Sequence, residues 1–198
     1  MDNSFIHWMF RIQVTHPFRA AHWIKSAEYG QLLLLETNGK ERKNIIELIT
    51  QWVLRDSFFV IIAGDWFLDH DDLRYSVFRY TNEFDQILDR LRITRARTCF
   101  QLLDLLVEAD NQNKSVLILD PLYHFYNGDV ELSVRIQVLE QSCQFLKRLA
   151  STNNVAVLVP KLDTDDHQRF FSVLAGIANE VIPIEETPDI EVSQGLLF

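Results

Sequence analysis

Apolar residues in this chain occur in two alternating textures. Gln31 to Glu36 (QLLLLE), Ser57 to Ala63 (SFFVIIA), Ser115 to Leu119 (SVLIL) and Val155 to Val159 (VAVLV) are short, nearly uninterrupted apolar runs. Such runs suit strands buried on both faces. Between them lie stretches in which apolar residues recur at helical spacing. Lys43 to Arg55 carries Ile45, Ile46, Leu48, Ile49, Trp52 and Val53, and Cys99 to Ala109 carries Phe100, Leu102, Leu103, Leu105, Leu106 and Val107. Leu132 to Ser151 predicts a long helix, and Asp71 to Tyr80 and Phe170 to Ala178 predict shorter ones. Arg92 to Thr94 and Glu180 to Ile184 complete the expected strands. Strands alternating with helices predict an α/β fold, a mostly parallel twisted sheet flanked by helices on both faces. In such sheets ligands gather at the carboxyl ends of the strands.

Length and composition narrow the picture. A chain of 198 residues fits one domain, with an N-terminal segment (residues 1–28), a core (29–184) and an acidic tail (185–198). A hydrophobic share of 47% with 24% charged residues is an ordinary globular balance. The net charge of −9 opposes tight nucleic-acid binding by the isolated chain, because phosphates require a local positive surface. Cys99 and Cys143 lack metal-type spacing, and both fall in expected helices. They point to a reducing compartment. No apolar run reaches membrane-spanning length, and Met1-Asp2-Asn3-Ser4 lacks the basic start of a signal peptide. The expectation is an intracellular protein without a membrane partner, in the nucleus if eukaryotic and otherwise in the cytoplasm.

The turn after the first strand is the first chemical candidate. A phosphate loop, G-x-x-x-x-G-K-[ST], wraps phosphates with backbone N–H groups, neutralises them with lysine and holds magnesium by a hydroxyl. Here the residues are Thr37-Asn38-Gly39-Lys40-Glu41-Arg42-Lys43-Asn44. Thr37 and Arg42 replace the glycines, Asn44 replaces the hydroxyl, and Lys43 alone is in place. A register on Gly39-Lys40 puts Glu41 at the hydroxyl and Leu34 at the first glycine. Taken alone, the stretch reads as an ordinary polar turn between strand and helix.

The second half adds a more specific signal. Val130 to Val159, VELSVRIQVLEQSCQFLKRLASTNNVAVLV, contains Glu131, Leu132, Ser133 and Arg135 in an E-L-S-x-R turn that opens a long helix leading to a buried strand. SVLILDPL (Ser115 to Leu122) ends its strand on Asp120, and ITRARTCFQLLDLLVEA (Ile93 to Ala109) holds Arg95-Ala96-Arg97. In this order the segments resemble the RecA-type recombinases, especially the archaeal and eukaryotic strand-exchange recombinases and their paralogues. The resemblance covers roughly Tyr29 to Ile184. It implies a RecA-like core of P-loop type, with Asp120 at the Walker B position that holds a magnesium-bound water.

Departures from that family pattern bear on function. Its catalytic glutamate follows the second strand, where this chain has Ala63-Gly64-Asp65-Trp66-Phe67; Gly64 takes the glutamate's place and Asp65 sits one residue off. Without glycines, hydroxyl and acid, the main electrostatic levers of phosphoryl transfer are missing. No cofactor is required on this reading, and ATP with magnesium would be held only by remnants: Thr37, Gly39, Lys40, Arg42, Lys43, Asn44 and Asp120.

The loop at the family's first DNA-binding position, Tyr123 to Asp129, has aromatics and no lysine or arginine. Tyr123, Phe125 and Tyr126 are candidates for base stacking or for contact with a neighbouring subunit. Arg90, Arg92, Arg95 and Arg97, with Arg74 and Arg79 nearby, form the best basic cluster; a DNA patch and a face salt-bridged to Asp85, Asp89 and Asp104 are the alternatives. Phe18 and Ala21 fit the F-x-x-A pattern with which recombinases dock on a neighbour.

The expected function is a non-catalytic recombinase paralogue, paired with another RecA-like subunit and assisting filaments on single-stranded DNA. A composite ATP site completed by a neighbour, and a structural subunit of a RecA-like ring such as an RNA-modification scaffold, stand as alternatives.

Overall fold

In the computed structural model, the structure describes residues 30–38, 42–112, 114–126 and 128–184. The elements in order are β1 (Leu32–Thr37), α1 (Arg42–Val53), β2 (Phe58–Ile62), α2 (His70–Phe78), α3 (Phe84–Leu88), β3 (Leu91–Arg95), α4 (Cys99–Gln112), β4 (Ser115–Leu119), α5 (Leu132–Ala150), β5 (Val155–Pro160), α6 (Asp165–Ala175) and β6 (Glu180–Ile184). A 3-10 turn, Tyr123–Phe125, follows β4. The N-terminal segment with Phe18 and Ala21, the loop residues Gly39 and Lys40, and the acidic tail lie outside the described residues.

The six strands form one parallel sheet in the order β3-β2-β4-β5-β1-β6. The apolar runs supply both faces, because successive side chains alternate sides. Leu32 and Leu34 of β1, Phe59 and Ile61 of β2, Val116 and Ile118 of β4, and Val155 and Val157 of β5 join the core under α4, α5 and α6. Leu33, Leu35, Phe58, Val60, Leu117 and Leu158 face the opposite core with Ile45, Ile49 and Trp52 of α1 and Leu73 of α2. Connections moving toward β3 thus pass over one face and those moving toward β6 over the other, as right-handed crossovers require. Each large side chain so buried contributes about 1.5–3 kcal/mol, so the central strands carry most of the stability.

Two elements differ from the pattern-based expectation. α6 starts at Asp165, not Phe170, because Thr164 caps it: its hydroxyl accepts from the His167 N–H at 3.2 Å, and Asp165 and Asp166 sit at the positive helix end. His167 is buried and serves as the first member of a stripe with Phe170 and Leu174. α3 fell below the length at which helical periodicity shows; Ile87 anchors it against Val53 and Val77.

Candidate functional site

β1 and β2 send their chains to one face of the sheet, whereas β4 and β5 send theirs to the other. Crevices therefore open at the carboxyl rim between β1 and β5 and between β2 and β4.

The β2/β4 crevice holds Asp120, the residue after β4. Its N–H donates to the Leu158 carbonyl at 2.7 Å, extending the sheet by one residue. It then turns with φ of 53°, a left-handed conformation that aspartate tolerates better than most residues, directly before Pro121. The side chain is only 6% exposed and Oδ1 has no hydrogen-bond partner. Burial first, and then the charge of Asp65, push its pKa up to about 7, with the Tyr123 backbone N–H pulling the other way. A carboxyl shifted so far toward neutral pH is a feature common at functional sites.

Across the crevice, the Ala63 N–H donates to the Leu119 carbonyl at 2.9 Å, which brings Gly64 against Asp120. A Cβ on Gly64 would lie 2.8 Å from both Cβ and Cγ of Asp120. Glycine is needed here for close approach, and a glutamate at this position has no room beside Asp120 as it stands. Asp65 is exposed and accepts from the Tyr123 hydroxyl at 3.1 Å, a bond that raises the phenol's pKa. Arg95 fixes the loop from its far side, donating to the Gly64 carbonyl at 2.7 Å and the Trp66 carbonyl at 2.5 Å.

The 3-10 turn is tied to its surroundings at several points. Arg135, buried near the start of α5, donates to the Phe125 carbonyl at 2.6 Å and lies 6.0 Å from the Phe170 ring. His124 Nε2 lies 3.0 Å from the Ala96 carbonyl. The Tyr126 hydroxyl meets His167 Nδ1 at 2.7 Å, joining the turn to α6. Burial lowers the His167 pKa, against the pull of Glu36 and Asp163.

The β1/β5 crevice is less favourable to phosphates. Thr37 is buried in the sheet, and its carbonyl accepts from the Lys161 N–H at 2.7 Å. Arg42 does not point toward a phosphate position. It bonds to Asp72 at 2.8 Å, lies 3.9 Å from Asp69 and packs over Phe67 at 5.6 Å. Lys43 is exposed and Asn44 half-buried in the first turn of α1. The orphaned Asp120 oxygen suits a hydrated magnesium ion. The start of α1 does not complete that site: it offers no hydroxyl, and Asp69 and Asp72 oppose a triphosphate. Among the described residues no group of three or more His, Cys, Asp or Glu is placed to hold a metal, and no helix is long and apolar enough to cross a membrane.

The other sequence candidates separate. Phe125 is fully buried between Leu122, Phe170 and the core, so its assignment to base stacking is corrected; a half-turn after β4 folds it inward. Tyr126 is half-buried on His167, and Tyr123 remains 40% exposed. The arginine cluster is largely occupied: Arg92 pairs with Glu108 over the Phe59 ring, Arg74 with Asp85 and Arg79 with Glu47. Arg90 and Arg97 stay exposed. The sequence marks neither the close approach of Gly64 to Asp120 nor the role of His167. The first requires knowing that β2 and β4 are neighbours; the second was foreshadowed only by Thr164 three residues ahead of it.

Two cavities of about 220 Å³ each open at the amino edge of the sheet, one lined by Trp52, Asp56, Phe58 and Asn154 and the other by Gly30, Lys147 and Asn179. The ionisable chemistry lies at the opposite rim, where the exits of the strands diverge, and that placement outweighs cavity size in defining the candidate site. No model of a known protein family matches the chain, and no curated protein matches it either.

Proposed function

We propose that the chain is a RecA-like subunit that works by association rather than by ATP turnover, a recombinase paralogue that pairs with another RecA-like subunit and assists filaments on single-stranded DNA in recombinational repair. The observation that carries this reading is the contact between Gly64 and Asp120. It combines a Walker-B-like strand end with a neighbouring position from which a water-activating acid is sterically barred. The occupied Arg42 supports it from the other crevice. The E-L-S-x-R turn supports the recombinase side, since its Arg135 anchors the loop after β4.

A phosphate-release assay on the purified chain is expected to show no turnover. Mixed with a strand-exchange recombinase on single-stranded DNA, the chain is expected to change the rate or extent of filament assembly. Intrinsic ATPase activity, or a monomer indifferent to every RecA-like protein of its own cell, would overturn the proposal. A second reading, a weak ATP site completed by a neighbour, is favoured by the unpartnered Asp120 oxygen. It predicts calorimetric nucleotide binding by the assembled complex that disappears with Lys43→Ala. Crosslinking to RNA but not DNA would instead favour an RNA-modification scaffold.

A further inference from the structure

β3 is the terminal strand on its side of the sheet and, among the described residues, pairs only with β2. The Phe58 N–H donates to the Arg90 carbonyl at 3.0 Å, and the Ala96 N–H donates to the Ile62 carbonyl at 2.9 Å. Backbone groups alternate in direction along a strand, so those of Leu91, Ile93 and Arg95 point away from the sheet. Ile93, at the centre, is 41% exposed, so the helices on its face of the sheet leave it uncovered. Such an edge is a template for another strand. It is also cationic at both ends. Arg90 and Arg97 flank β3, are exposed, and are held by no ion pair among the described residues, whereas Arg92 and Arg95 are occupied by Glu108 and by loop carbonyls.

Residues 185–198 have the opposite character. They include Glu185, Glu186, Asp189 and Glu191 and no lysine or arginine. Within them Asp189-Ile190-Glu191-Val192-Ser193 alternates polar and apolar residues with the period of a strand.

We propose that the open edge of β3 receives residues 189–193 of a second copy of this chain as an added antiparallel strand, with Ile190 on Ile93, Glu191 toward Arg90, and Glu186, just ahead of the strand, toward Arg97. The pairing has to occur between copies. β6 and β3 are the two ends of the sheet, so a strand added beyond β3 stands about 29 Å from β6 at ~4.8 Å per strand. From Ile184 to Asp189 the chain spans at most about 18 Å. A segment of one molecule on the edge of another is compatible with reciprocal exchange in a twofold dimer and with head-to-tail passage in an open chain or ring. This proposal does not rest on the recombinase reading.

Sedimentation of the full chain across a concentration series at low salt tests it. The wild-type chain is expected to form species larger than a monomer that grow with concentration. Arg90→Glu with Arg97→Glu is expected to weaken assembly about tenfold. Replacing Glu185, Glu186, Asp189 and Glu191 by lysine should weaken it comparably, and combining both sets should restore it. Ile190→Pro with Val192→Pro, which removes two backbone donors from the segment, should abolish it. A wild-type chain that stays monomeric at every concentration, or assembly unchanged by the proline pair, overturns the proposal.

Discussion

Gly64 and Asp120 show how one small residue and one strained residue define a site. Alanine at position 64 forces its Cβ into the Asp120 side chain, 2.8 Å away, and overpacking of that kind costs about 1–3 kcal/mol. Urea unfolding of Gly64→Ala should show a lower midpoint with unchanged slope, and adding Asp120→Ala should recover part of the loss. Asp120 also makes stability depend on pH. Its folded pKa is raised from 3.8 to about 7, so the folded state holds the proton more tightly than the unfolded chain. The stabilising contribution is therefore complete below the unfolded value and is lost as pH rises through about 7. Asp120→Asn mimics the protonated form and also tolerates the left-handed turn. It should stabilise the protein at about pH 8 and have little effect below about pH 4, measured by thermal or urea unfolding at both. The aspartate was legible in the sequence because it ends an apolar run. Its burial, its turn and its contact with Gly64 were not, since they arise from a residue 56 positions earlier in the numbering.

At the scale of elements, the turn after β4 and helix α6 act as one unit through Tyr126 and His167. Tyr126→Phe removes the hydroxyl from a half-buried bond and should cost about 1 kcal/mol, with faster amide exchange in α6 as the local readout. The imidazole here has a lowered pKa, so its contribution is present above the ordinary value of 6.5 and is lost as pH falls below it. That sign is opposite to the one for Asp120, and unfolding of His167→Gln across the same pH range separates the two. Thr164 was visible as a capping residue type, yet the apolar pattern drew attention to Phe170 instead. A buried histidine counts as polar in a pattern and as core in the fold.

Over the whole molecule, the charge pattern decides what the isolated chain can bind. The net charge is −9, and Arg74, Arg79 and Arg92 of the basic cluster are paired with acids. Fluorescence anisotropy should therefore show no saturable binding of single-stranded DNA by the chain alone at physiological salt, and any binding should require a partner subunit. The order of strands and helices, the two-sided burial of the strands and the absence of phosphate-loop glycines follow from the sequence by itself. Each is written in residues a few positions apart, where alternation and helical spacing act. Only the tertiary structure decided that β2 neighbours β4, that Phe125 turns inward, that Arg42 is taken by Asp72, and that among the described residues β3 pairs on one side only. These depend on which distant segments share the sheet, and long-range pairing is set by the packing of the whole core rather than by the local pattern of any one segment.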